Sequence, residues 1–273
     1  MIDDFINYLV NLKGYSVNTA DAYRRDLYDF AAWARANLTD PRWSVITRTD
    51  IDNYIKYCVD SELKPATTNR RLASISGLYR YFKRQGHDID NPCKYESRRK
   101  IADTIPNTIP MAELQAAYNH AVGASKIMLG LLATTGMRIQ ELLDLRYEDI
   151  DFEKSSIKVR GKGNKERLLY TSPTYLETLR TVQLNGASGI IFNLTQRDAR
   201  RMIWEALKPY SHAPQLSPHA IRHTFATNQA AHGTNCSTLA EILGHKDLNT
   251  TQKYIDIGQS NTQQACLAYS LLH

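Results

Sequence analysis

The sequence predicts a mainly α-helical protein in two domains, with one small β element in the second. Three observations carry this. Apolar residues recur at helical spacing through residues 1–90. An aperiodic stretch with two prolines and mixed charges, "CKYESRRKIADTIPNTIP" at 93–110, then interrupts the pattern. Beyond it helical spacing returns, broken by "SSIKVRGKGNKERLLY", which alternates apolar and polar residues around a glycine-rich turn, as a β-hairpin does.

Each element follows from its own pattern. In "SVNTADAYRRDLYDFAAWARA", Val17, Ala20, Tyr23, Leu27, Phe30 and Ala34 fall on one helical stripe, with Ser16 as the cap. "TRTDIDNYIKYCVD" places Ile51, Tyr54, Ile55 and Cys58 on one side. "KPATTNRRLASISGLYRYFKR" buries Leu72, Ile75, Leu78 or Tyr79, and Phe82. Its other face, with Arg70, Ser74, Gly77, Tyr81 and Arg84, is basic, aromatic and lightly built, which suits approach to a DNA backbone. Arg24, Arg25 and Arg71 join it as candidate DNA contacts. Residues 93–110 form a linker between a domain at 1–92 and one at 111–260, and 261–273 form a tail. In the second domain "MAELQAAYNHA" and "KIMLGLLATTG" are helices, the latter ended by Gly136. "MRIQELLDL" opens the next, and helices resume near Pro173, Thr195, Ser217 and Ser237.

Bulk properties narrow the class. The chain has 273 residues and a net charge of +6, a modest basic excess that fits a nucleic-acid partner. Neither half is a basic tail, so any DNA contact must come from patterned faces. Cys58, Cys93, Cys236 and Cys266 are widely spaced with no C-x-x-C pair, as in reduced cytoplasmic proteins. The start, "MIDDFINYLVNLKGY", is acidic and too short in apolar run for a signal peptide, and no apolar stretch approaches the ~18 residues of a membrane span.

The most informative stretch is "SPHAIRHTFAT", residues 217–227. Ser217 is a good N-cap, and Pro218 suits the first helical position. His219 then lies in the first turn, where free N–H groups and the helix dipole favour an anion. Arg222, three residues on, points the same way. A guanidinium and an imidazole there can hold a phosphate. His219 and His223 are four apart, but a zinc-binding H-E-x-x-H needs glutamate where Ala220 stands, so no metal is expected.

Four stretches, "TGMRIQELLDLRYEDID", "IKVRGKGNKERLLY", "LSPHAIRHTFAT" and "LGHKDLNTTQKYI", occur in the order and spacing of the tyrosine recombinase, or phage-type integrase, family. The chain resembles its compact Xer-like members over nearly its whole length. The resemblance implies a SAM-like helical core-DNA-binding domain followed by a mostly helical catalytic domain with a small sheet. It implies attack of a tyrosine oxygen on a backbone phosphorus, leaving a 3′-phosphotyrosine and a free 5′-hydroxyl, with no cofactor. Tyr254 matches the nucleophile, although Ile255-Asp256 follows it where relatives often carry Thr-His. Arg138 and Arg222 match the phosphate-binding arginines, Lys162 the general acid of the hairpin, with nearby Lys165 as the alternative, and His219 and His245 the two histidines of the site. Glu141 and His223 are expected to support, one orienting Arg138 and the other bracing its helix by a hydrogen bond.

The same residue set would serve a type IB topoisomerase-like nicking-closing enzyme. A catalytically silent DNA-binding protein and a telomere resolvase are further alternatives. The resemblance implies specific core sites in double-stranded DNA as partner, a homotetramer on paired sites, and a monomer or weak oligomer without DNA, in the cytoplasm. With the first helix beginning almost at Met1, no additional arm-binding module is expected. Integration, inversion and dimer resolution stay equally open.

Overall fold

The computed structural model describes residues 1–94, 99–100, 106–161, 165–172, 175–177, 179–180, 189–245, 247–248 and 250–256. It divides into two compact units, Met1–Asp103 and Thr104–His273. The expectations for Lys162 and for the tail at 261–273 lie outside the described residues.

The first unit holds α1 (Ile2–Asn11), α2 (Val17–Asn37), α3 (Arg48–Asp60) and α4 (Pro65–Arg84). Local sequence sets their ends. Ser16 caps α2 by accepting from the Thr19 N–H, and Thr47 and Asp50 form a reciprocal capping box at α3. Pro65 occupies the first turn of α4, where no N–H is needed. Phe5, Leu27, Phe30, Ile51, Tyr54, Ile75, Leu78 and Tyr79 build the core. Val17, placed on the apolar stripe of α2 by its spacing, is 63% exposed: it sits in the first turn, ahead of the packed part of the helix.

The structure corrects two members of the expected DNA face of α4, whose Arg70 and Arg84 are exposed. Ser74 and Gly77 are buried, Ser74 donating to Asp26 at 2.9 Å and Gly77 lying against Phe5 and Tyr23. Tyr81 packs on Phe5 and Tyr8, with ring centroids 5.5 and 5.1 Å apart. The lightly built side of α4 is therefore where α1 and α2 approach, because small residues allow close helix packing. Arg70 pairs with buried Asp26 at 2.6 Å, and Arg71 is held between the Tyr54 hydroxyl and Asp29. Arg24 pairs with Asp21 and Asp3, and exposed Arg84 reaches the Tyr8 hydroxyl. Arg25 is exposed.

The second unit begins its regular structure with α5 (Met111–His120), α6 (Gly123–Thr135) and α7 (Ile139–Leu143). The sheet then adds β1 (Ile150–Asp151) to the expected hairpin of β2 (Ser156–Arg160) and β3 (Glu166–Tyr170). It is antiparallel in the order β1-β2-β3, with Ile157 opposite Leu169. The Gly161 N–H donates to the Lys165 carbonyl at 2.8 Å beyond the last strand pair. Residues 175–177 and 179–180 are helical, and α8 (Gln196–Leu207), α9 (Pro218–Ala231), α10 (Cys236–Leu243) and a helix at 250–256 follow. Asn235, just ahead of the expected start, caps α10 by accepting from the Thr238 N–H. The core centres on α6, whose Met128, Leu129, Leu131 and Leu132 are fully buried.

Candidate active site

Two glycine turns bring the site together. Gly136 ends α6 and Gly244 ends α10, each left-handed, with φ of 63° and 62°. Close packing demands glycine at Gly136 and crowds any side chain at Gly244. A Cβ on Gly136 would stand 2.3 Å from the Phe225 ring, and one on Gly244 would stand 3.1 Å from the Arg167 guanidinium. At Gly244 the His245 N–H donates back to Ala240 at 2.9 Å, closing the helix.

That closure leaves the last carbonyls of α10 free to accept, at the negative end of the helix dipole. Three arginines take three successive ones. Arg167 Nε donates to Ile242 at 2.8 Å, Arg222 Nη2 to Leu243 at 2.7 Å, and Arg138 Nη2 to Gly244 at 3.0 Å. Arg222 Nη1 also donates to the Gly136 carbonyl at 2.7 Å, tying the ends of α6 and α10 together.

Glu141 neutralises part of this charge. Its carboxylate accepts from the Arg138 N–H and Nη1 at 2.8 and 2.9 Å, and from both Nη atoms of Arg167 at 2.8 and 2.9 Å. Burial alone would raise its pKa, but the Arg167 hydrogen bonds, the Arg138 N–H and the two charges overcome this and hold it below the usual carboxylate range. Arg222 is pushed down to about 10 by burial and by the neighbouring Arg138, and so stays charged at neutral pH.

The histidines lie around this cluster. His245 Nε2 accepts from Arg222 Nη2 at 3.1 Å, so its Nδ1 carries the proton and donates to Thr251 Oγ1 at 2.8 Å. His223 Nδ1 is hydrogen-bonded to the Tyr254 hydroxyl at 2.6 Å. Burial first, then nearby positive charges, push His223 and His245 down to about 4, so both are neutral at pH 7. His219 stands over His223 with ring centroids 4.0 Å apart. Lost solvation and the Arg222 charge lower its pKa too. Tyr254 is 2% exposed, and burial raises its phenol pKa against the opposing effect of Arg222.

The structure thus gathers Arg138, Glu141, His219, Arg222, His223, His245 and Tyr254 from α7, α9, the end of α10 and the 250–256 helix. It gives His223 the direct contact with the phenol. Sequence reasoning passed over three contributors: Arg167, Thr251, which anchors His245, and Lys253, whose ammonium lies 5.3 Å from the Tyr254 ring centre. Arg167 had a legible signal. It lies two residues from buried Leu169 and so on the inward face of β3, where a cation needs a partner.

The arrangement offers two permanently charged forks, neutral imidazoles and a phenol in one place, a set suited to an anionic reaction at phosphorus. Residues 107–260 match the model of the phage integrase family, and residues 2–86 match that of its N-terminal SAM-like domain. The chain belongs to the phage integrase family and is a tyrosine site-specific recombinase, an enzyme that cleaves and rejoins DNA. Within that family it is Xer-like. Tyrosine recombinase XerD of Haemophilus influenzae is 30% identical over 97% of this chain and 95% of the relative. Tyrosine recombinase XerC of Staphylococcus haemolyticus is 27% identical over 96% and 94%. The fold is shared with XerH site-specific recombinase bound to its palindromic difH substrate in a post-cleavage complex, at a TM-score of 0.76 and 17% identity over 97% of this chain and 84% of that one. It is shared also with a lambda integrase(75-356) dimer bound to a COC′ core site, at 0.73 and 19% over 94% of each chain. No helix among the described residues is long and apolar enough to cross a membrane.

Proposed function

We propose that Tyr254 is the nucleophile and that Arg138 and Arg222 bind the scissile phosphate. As Tyr254 Oη bonds to phosphorus, its O–H bond breaks and the proton passes to a neutral imidazole. His223 is in contact, and His219 stands next to it. The bond from phosphorus to the 5′-oxygen breaks, and that oxygen takes a proton from Lys162. The two arginines stabilise the charge that spreads over the phosphoryl oxygens in between. His245 completes the phosphate site, oriented by Thr251. Because the phosphotyrosine link keeps the bond energy, the reverse attack by a 5′-hydroxyl rejoins the strand without ATP.

The observation that carries this reading is the convergence of both arginines on adjacent carbonyls at the end of α10, with the Tyr254 hydroxyl already hydrogen-bonded beside them. Replacing Tyr254 with Phe tests it. On a nicked suicide DNA site the variant should form no covalent protein–DNA adduct and should bind the site nearly as well as the parent, because affinity rests on many phosphate contacts. A gel-resolved adduct in the variant rules Tyr254 out.

The proposed partner is a specific core site in double-stranded DNA, read in the cytoplasm with no metal or cofactor. Xer- and integrase-type relatives have been solved on DNA, XerH on difH and lambda integrase on a COC′ core site. A homotetramer on paired sites, and a monomer or weak oligomer off DNA, complete the proposal. Residues 261–273 are its proposed link between neighbouring protomers. Within the first unit, Arg25, Arg70 and Arg84 are the exposed members of the proposed DNA contacts.

A further inference from the structure

We infer that Arg167 is a positioning residue for strand cleavage. By gripping Glu141 and the last turn of α10 together, it fixes the directions in which Arg138 and Arg222 present their remaining N–H groups to one phosphate. The inference rests on the phosphate-binding roles proposed above for those two arginines.

The hydrogen bonds carry the argument. Arg167 uses its fork on both oxygens of Glu141 and its Nε on the Ile242 carbonyl, and its side chain is only 13% exposed. It is committed to protein partners, in contrast to Arg138, whose side chain is 40% exposed. Glu141 is in turn saturated: each oxygen accepts once from Arg138 and once from Arg167. Arg138 is thereby clamped from two sides, by Glu141 and by the Gly244 carbonyl. Arg222 is held by the neighbouring Leu243 carbonyl. The direction of both guanidinium groups depends on where the end of α10 lies relative to α7, and Arg167 is the side chain that joins those two elements to β3. Arginine is required for this because only a planar fork with a separate Nε can make a two-pronged carboxylate bond and a third bond at once. A side chain at Gly244 would crowd the Arg167 and Arg138 guanidinium groups.

The test uses the full chain and a suicide DNA site, with the scissile group either a phosphodiester or a neutral methylphosphonate. Arg167→Gln should slow phosphodiester cleavage by about 10- to 100-fold, the usual cost of losing a partner that orients a reacting group, with single-site affinity nearly unchanged. The defect should shrink on the methylphosphonate, where one oxygen charge no longer needs a well-aimed arginine, as it should for Arg138→Ala. Arg167→Lys keeps a cation opposite Glu141, which guards against loss of the fold, but it cannot make the two-pronged bond. It too should be slow and charge-sensitive. Full activity in Arg167→Lys overturns the proposal in favour of a simple charge effect. Equal slowing of Arg167→Gln on both substrates, while Arg138→Ala shows the charge sensitivity, overturns it in favour of a general structural role. If Arg138→Ala is equally slow on both substrates, the phosphate-binding role of Arg138 fails first, and this inference falls with it.

Discussion

At the residue scale the hydrogen bond between His223 and Tyr254 makes a claim about pH. His223 is pushed down to about 4 by burial and by neighbouring His219 and positive charges, whereas an unfolded histidine titrates near 6.5. A group whose folded pKa is depressed contributes stability above the unfolded value, and loses it as pH falls through the folded one. The protein should therefore lose stability between about pH 6.5 and pH 4 through this group. His245, also near 4, and Glu141, held low by Arg167, act in the same direction. Replacing His223 with Asn should narrow the difference in Tm between pH 7 and pH 5 by about 2–4 °C, the shift that roughly 1 kcal/mol makes in a domain of this size. Thermal melts at the two pH values check it, and an unchanged gap would show that His223 does not titrate in this window. The same variant should cleave more slowly, because the phenol loses its imidazole partner.

At the scale of elements, two turns carry separate consequences. Gly136 joins α6 to the segment bearing Arg138, and its carbonyl is held by Arg222. Gly136→Ala combines a left-handed backbone with a clash against Phe225. It should cost on the order of 1–3 kcal/mol, seen as a lower denaturation midpoint at constant slope, and cleavage should fall with it as Arg222 shifts. A midpoint at the parent value would mean that the turn accommodates a side chain. The hairpin of β2 and β3 supplies the other case. Lys162→Ala should slow cleavage of an ordinary phosphodiester far more than that of a substrate with a 5′-bridging sulfur, since a thiolate leaves without a proton. Equal slowing on both would take the general-acid role from Lys162 and direct attention to Lys165.

At the scale of the whole molecule, binding should be dominated by phosphate contacts. The chain carries a net charge of +6, and its arginines are spread over both units instead of forming a basic tail. If both units engage one duplex, affinity for a single core site should fall steeply with salt, with a log–log slope set by on the order of 6–10 displaced counterions. The unit Met1–Asp103 has its own core, so it can be measured alone. It should bind more weakly and with a shallower slope. An isolated first unit that matches the full chain in both would place the whole affinity there.

Sequence alone determined the helical class, the helix caps at Ser16 and Ser217 and the hairpin, because these depend on periodicity and cap chemistry within short windows. Arg138, Arg222, His245 and Tyr254 were legible through the resemblance of their motifs to the family, and the structure brings them together. What lay beyond a window was decided by tertiary structure. The stripe of Arg70, Ser74, Gly77, Tyr81 and Arg84 reads as an open basic face, yet Ser74 and Gly77 are the small residues that let α1 and α2 approach. Residue type cannot distinguish a lightly built surface from a close packing seam, since both call for small side chains. The phenol's partner was likewise a matter of tertiary placement: His219 and His223 lie one helical turn apart on the same side of α9, and the position of the 250–256 helix gave the contact to His223. Arg167 became visible as a partner of Glu141 only when β3 was set beside α7 and the end of α10, because a strand's inward face names no partner until another element is packed against it.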